Sequence, residues 1–161
     1  MTRHKLAAVL NYEPTTGVFT WKVRSGRAVP GMVAGTPHNR GYWQINVLGK
    51  VYLAHRLAWF VARGEWPVGD IDHINGDKQD NRIANLRTAT RSQNMANKGA
   101  NRNNTSGYKG VWFFKRTGRW MAGYRKDGKR IHVGYFDTAE EAAAAHRASY
   151  EKAFGQYARA T

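Results

Sequence analysis

Between residues 71 and 97 the chain reads Ile71-Asp72-His73-Ile74-Asn75-Gly76-Asp77, then Asp80-Asn81-Arg82-Ile83, Asn85-Leu86-Arg87 and Ser92-Gln93-Asn94-Met95-Ala96-Asn97. Ile71 to Ile74 has the character of a short strand, Asn75-Gly76-Asp77 of a polar turn, and a loop continues through Asp80 and Asn81 to Leu86. Thr90 and Gln93 stand at capping-box spacing, which predicts a helix over Arg91 to Lys98 ended by Gly99. Adjacent strand side chains point to opposite faces, so Asp72 and His73 cannot both simply fill one core. One can then face a cation while the other faces a water. Asn94 and Asn97, three residues apart, share a face of the helix and can return further donors. A base beside a cation held by hard oxygen atoms is what hydrolysis of a phosphate ester requires, and such donors suit Mg²⁺ or Mn²⁺. An isolated Asp-His pair is more often a turn or surface hydrogen-bonded pair than a catalytic one. It is the spacing around this pair that gives it meaning.

Upstream, Thr2 to Leu10 reads as a short helix and Glu13 to Gly17 as a turn into the strand Val18 to Trp21. Gly41 to Val47 and Val51 to Ala54 alternate in polarity around Leu48-Gly49-Lys50 and predict a hairpin. A helix over Arg56 to Arg63 follows, stopped by Gly64. Downstream, Gly99 to Ser106 is polar, lacks large apolar residues and reads as a linker. Beyond it come three strands, Tyr108 to Phe114, Arg119 to Lys126 and Arg130 to Phe136, the last two joined by Asp127-Gly128. Thr138 and Glu141 repeat the capping-box spacing and open an Ala-rich helix through Phe154, closed by Gly155. The predicted organisation is thus residues 1–98, a linker over 99–106, and a second domain over 107–161.

The 161-residue chain carries 26 Lys plus Arg against 11 Asp plus Glu, a formal net charge of +15, which would gather polyanions at its surface. The basic residues are concentrated. Between Tyr108 and Arg130 they are Lys109, Lys115, Arg116, Arg119, Arg125, Lys126, Lys129 and Arg130, against the single acid Asp127, interleaved with Trp112, Phe113, Phe114, Trp120 and Tyr124. A charged sheet face of this kind can track phosphates, and Arg can reach base edges. Trp120 and Phe136 are expected in the core, since alternate strand residues must cover the helix. The chain has no cysteine, which excludes disulfides, zinc ribbons and thiol chemistry. It has no long apolar run, signal-peptide pattern or polybasic amphipathic helix, so no membrane role and a cytoplasmic location are expected.

The segment from Leu10 to Lys98 resembles the HNH endonucleases of the phage and intron-homing type, in which the last motif position is Asn. The resemblance rests on Ala54-His55-Arg56-Leu57-Ala58-Trp59, on the residues between Ile71 and Asn97 quoted above, and on the Tyr-x-Pro-x-Thr-Gly-x-Phe-Thr-Trp opening at Tyr12 to Trp21. It implies that His73 is the general base and Asp72 a ligand of one divalent cation. It further implies that Asn85, twelve residues beyond His73, bonds the loop backbone and keeps His73 oriented. Asn94 is the implied second ligand, with Asn97 the alternative on the same helix face. His55 and Arg56 begin the preceding helix and are candidate DNA contacts, His55 either contacting phosphate or capping that helix. Structural zinc is not expected.

Thr105 to Tyr157 resembles the Apetala, or ethylene-response-factor, DNA-binding domain. The residues that carry this are Ser106-Gly107-Tyr108-Lys109-Gly110-Val111, Trp120, Gly128-Lys129-Arg130, Val133-Gly134-Tyr135-Phe136 and Thr138-Ala139-Glu140-Glu141-Ala142-Ala143. In that family the sheet enters the major groove, so Lys109, Arg125 and Arg130 inherit DNA contacts, to which the basic composition adds Arg119 and Lys129. Trp112, Gly123 and His132 depart from the plant pattern, and the recognised sequence does not transfer.

Together these imply an α+β chain, a small ββα-metal nuclease domain followed by a three-stranded antiparallel sheet packed on one helix. The expected activity is metal-dependent cleavage of double-stranded DNA, homing type, with a sequence-specific DNA-binding regulator on an inactive nuclease fold as the alternative. One such site cuts one strand, so a double-strand break needs a homodimer or two successive events by a monomer. Deleting residues 105–161 is expected to weaken binding more than chemistry.

Overall fold

The computed structural model describes residues 1–101 and 103–159, which divide by their internal contacts into two units, Met1–Thr88 and the chain from Ala89 onward. In the first, Thr2 caps α1 (Arg3–Val9) by accepting from the Lys5 amide, and the chain passes directly into the hairpin β1 (Leu10–Glu13) and β2 (Val18–Trp21). A second sheet orders β3 (Thr36–Pro37), β4 (Trp43–Val47) and β5 (Lys50–Leu53), with Leu48 and Gly49 both at positive φ in the tight β4–β5 turn. Next comes α2 (Ala54–Arg63), which stops at Gly64 in the left-handed conformation. A third, two-stranded sheet pairs β6 (Asp70–His73) with β7 (Leu86–Ala89).

These small sheets share one core. Leu6, Phe19, Ile45, Val47 and Leu57 are almost fully enclosed there, and Trp66 stacks between Phe60 and Tyr52 at centroid distances of 4.4 and 5.4 Å. Burying side chains of this size stabilises the unit by roughly 1.5–3 kcal/mol each before chain entropy is subtracted. The sequence reading missed β1, β3 and β7 as strands. Each is four residues or fewer, too short for alternation to show.

The second unit begins with α3 (Arg91–Ala96), whose Thr90–Gln93 capping box forms with both reciprocal bonds. The helix is shorter than predicted, with Asn97 as its C-cap. Then β8 (Val111–Phe114), β9 (Arg119–Lys126) and β10 (Lys129–Phe136) form an antiparallel sheet in the order β10-β9-β8. Asp127 and Gly128, both at positive φ, close the β9–β10 hairpin as their sequence required. One face of this sheet packs Val111, Ala122, Trp120 and Phe136 against α4 (Ala139–Phe154), where the fully buried Ala142 permits close approach. The two aromatic residues expected in the core pack against it half-buried.

Candidate functional site

His73 ends β6 and is 5% exposed. Its Nε2 lies 3.3 Å from Asn81 Oδ1, while Asn81 Nδ2 donates to the Gln79 carbonyl at 2.9 Å. That second bond fixes which way the Asn81 amide faces. An oxygen opposite Nε2 requires the ring proton to sit on Nε2, leaving the basic lone pair on Nδ1. Burial pushes the His73 pKa down, against the bond to Asn81 and the charges of Asp72, Asp77 and Asp80, which push it up. The net direction is down, so the ring is neutral and able to accept a proton at physiological pH.

Asn85 holds the loop around this histidine. Its Oδ1 accepts from the Asn75 amide at 3.0 Å, and its Nδ2 donates to the Asp80 carbonyl at 2.8 Å, tying the two ends of the 75–80 turn together. The Asp80 carboxylate bridges Asn75 and Arg82, whose guanidinium holds its pKa at about 2. From outside the loop, Tyr12 donates its hydroxyl to the Asn81 carbonyl at 2.8 Å, and burial pushes that phenol up to about 12. Gly17 permits the same approach. It has φ +76°, and a Cβ there would run into the Arg82 amide nitrogen and the Asn81 carbonyl carbon. The Tyr-x-Pro-x-Thr-Gly opening thus buttresses the histidine loop from the far end of the unit.

Asp72 is 3% exposed and is met by Arg87, whose Nε and Nη2 each lie 2.8 Å from Oδ2. The two consecutive residues are thus covered on opposite faces by different partners, as strand geometry demands. His55, in the first turn of α2, makes no side-chain cap. Its ring is 5% exposed, lies edge-on to His73 at 5.0 Å and against Tyr42 at 5.1 Å, and its buried Nδ1 lacks a hydrogen-bond partner. Burial first, then the neighbouring His73 and Arg56, push its pKa down to about 3. Arg56 donates to the Gly69 and Pro67 carbonyls at 2.9 and 3.1 Å, bracing the segment that leads into β6. Sequence reasoning did not assign Tyr42, Asn81 or Arg87 a role at this site. Asn81 and Arg87 lay inside the quoted motif, but their partners become visible only when the loop closes.

Asn94 is half-buried on α3, in the second unit, and Asn97 is buried at the C-cap of that helix. Among the described residues no three His, Asp or Glu side chains cluster as a cation site. The donor set of the sequence reading is of another kind, one carboxylate and one amide oxygen. A carboxylate offers about four lone-pair directions, of which Arg87 takes two, and a neutral amide oxygen is a hard donor. Donors of these two kinds suit a cation of the Mg²⁺ type that keeps most of its water.

On the second unit, the sheet face away from α4 carries Arg119, Arg125 and Arg130, all exposed, with Arg125 paired opposite Arg130 across the strands, while Lys129, also exposed, pairs with Lys126 at the hairpin end. Arg130 lies over the Trp112 ring at 5.0 Å, and Arg119 meets Asp137 at 2.9 Å. Lys109 points elsewhere. Its Nζ donates to the Ala96 and Arg159 carbonyls at 2.7 and 2.8 Å.

The family model described as HNH endonuclease matches residues 52–96, and that of the AP2 domain matches residues 106–155. Protein 3.8 of Escherichia phage T7 is 34% identical over 106 residues, covering 65% of this chain and 87% of its own length. The chain belongs to the HNH endonuclease family, followed by an AP2-type DNA-binding domain. APETALA2-like protein 2 of rice (Oryza sativa subsp. japonica) and the AP2-like ethylene-responsive transcription factor TOE2 of Arabidopsis thaliana are each 47% identical over 45 residues. Those stretches are 28% of this chain and only 10% and 9% of the plant proteins. No solved structure matches. No helix among the described residues is long and apolar enough to cross a membrane.

Proposed function

We propose that the protein is a homing-type endonuclease that hydrolyses one phosphodiester bond of duplex DNA, in the cytoplasm of a phage's bacterial host. The observation that carries this reading is the buried pair of His73 and Asn81, held by Asn85 from within the loop and by Tyr12 from outside it. His73 Nδ1 takes a proton from water as the water oxygen bonds to phosphorus and the opposite P–O bond breaks. Asn81 and Asn85 keep the ring in the tautomer and orientation for that transfer. Asp72, set by Arg87, and Asn94 or Asn97 on α3 would hold one Mg²⁺ or Mn²⁺, which supplies electrostatic stabilisation of the charge developing on the phosphate. Exposed Arg119, Arg125, Lys129 and Arg130 bind the duplex.

The test is incubation of supercoiled plasmid with the full chain and Mg²⁺ or Mn²⁺. Nicking is expected, and His73→Ala is expected to lower its rate by roughly 10²–10⁴-fold while duplex affinity in EDTA is unchanged. Tight duplex binding with no metal-dependent nicking at any salt concentration would overturn the enzyme in favour of a DNA-binding regulator.

A further inference from the structure

Six residues make a poor helix on their own, because nucleation fixes several residues before any hydrogen bond is returned. In α3 only Ala96 is buried, and the helix is held by contacts from the AP2-type domain at both ends. At its start, Ser92 Oγ accepts from the amide of Asp127, in the β9–β10 turn, at 3.0 Å. At its end, the Ala96 carbonyl accepts from Lys109 Nζ at 2.7 Å, from the Tyr150 hydroxyl at 3.1 Å and from the Arg159 amide at 3.4 Å. Lys109 also lies 4.6 Å over the Tyr150 ring, and the Ala96 methyl packs with Tyr150 and Phe154. A cation at a helix C-terminus meets the negative end of the helix dipole, so this clamp stabilises α3 electrostatically as well as by packing.

We infer that the AP2-type domain is a splint for the metal-ligand helix, with Tyr150, Lys109 and Ser92 acting as positioning residues for the nuclease reaction. This rests on the reading of Asn94 or Asn97 as a ligand, since both belong to the segment so held. Asn94 is two residues, about 3 Å of helix rise, from the carbonyl that Lys109 and Tyr150 grip. A loosened grip therefore moves the ligand itself. The same β9–β10 turn that touches Ser92 joins the strands bearing Arg125 and Arg130, so the surface proposed to bind DNA and the helix proposed to bind the cation belong to one unit and meet at this turn. Lys109, placed by resemblance among the DNA contacts, has its ammonium directed to this clamp instead.

The experiment uses the full chain with Tyr150→Phe and Ser92→Ala combined, which removes two hydrogen bonds and keeps the aromatic packing, and Lys109→Met as a stronger companion. For the double variant, the Mn²⁺ concentration giving half-maximal nicking is expected to rise about tenfold, with most of the rate recovered at saturating metal. Duplex affinity in EDTA is expected to stay within about twofold, since neither side chain is proposed to touch DNA. Hydrogen exchange at the Asn94 to Asn97 amides should quicken while β9 and the middle of α4 keep their protection. Unchanged metal dependence and unchanged exchange in the double variant would overturn the inference, even if Lys109→Met unfolds the domain. Absence of nicking by the parent protein would instead sink the proposed function, and the exchange measurement would still decide whether the clamp holds α3.

Discussion

The two units treat polar side chains in opposite ways. In the first, Asp72, His73, Asn81 and Asn85 are buried, and hydrogen bonds or an ion pair at 2.8–3.3 Å fix them. In the second, Arg119, Arg125 and Arg130 stand exposed on a sheet whose other face supplies the core. Chemistry depends on direction, so its groups must be immobilised, and buried polar groups cost stability unless each is paired. Attraction to phosphate acts over several ångströms and tolerates mobile side chains, so its groups can remain in water. A nuclease built this way should lose turnover from changes at the histidine loop and affinity from changes on the exposed sheet face.

The sharpest break of that contrast is at Asn85. Asn85→Ala removes both bonds that close the 75–80 turn and should lower turnover about 10–100-fold at saturating metal, with little change in duplex affinity. A comparable loss of affinity in a gel-shift titration would show that the loop also binds DNA. Arg130→Ala should do the reverse. It is expected to weaken binding about tenfold, with a salt dependence shallower by about one unit if the contact is to phosphate, and to leave turnover on saturating DNA intact.

The smallest expected effect concerns two buried histidines that carry no exposed charge. Burial pushes His146, in the second unit, down to about 4 and His55, in the first, to about 3. The unfolded chain takes up these protons near pH 6.5, whereas the folded chain resists until about pH 4 or 3. Between those values the unfolded state binds more protons, so stability is complete above pH 6.5 and falls as the pH drops. Urea unfolding of wild type at pH 5 and 7.5, followed by tryptophan fluorescence, should show that loss. His146→Leu should reduce it by about 1 kcal/mol, and an identical pH dependence in the variant would discount burial of this ring.

The expected separation of binding from chemistry at the linker is where sequence and structure diverge most. Hydrophobic periodicity, Gly99 and the polar run to Ser106 all mark an end to the nuclease segment, and the HNH match does stop at residue 96. Yet α3 belongs with the second unit, and the Ala96 carbonyl at its end accepts from donors 13 and 54 positions away, at Lys109 and Tyr150. Deleting residues 105–161 should therefore impair chemistry at least as much as binding, contrary to the expectation from sequence.

Local rules made much of this protein legible without coordinates. Both capping boxes, the Asp127-Gly128 turn, α4 and the β9 strand follow from residues within a few positions of one another, so propensity and spacing suffice to specify them. The bonds of Asn85 to Asn75 and Asp80 are likewise local, since both partners lie in the same motif. Tertiary structure alone decided the rest. It brought Tyr12 and Gly17 onto the Asn81 loop, buried His55 beside His73, gave Asp72 its Arg87 partner and turned Lys109 inward to hold α3. Those contacts depend on which surfaces meet once the core has collapsed, and a side chain's neighbours across such a surface leave no periodic mark in the sequence.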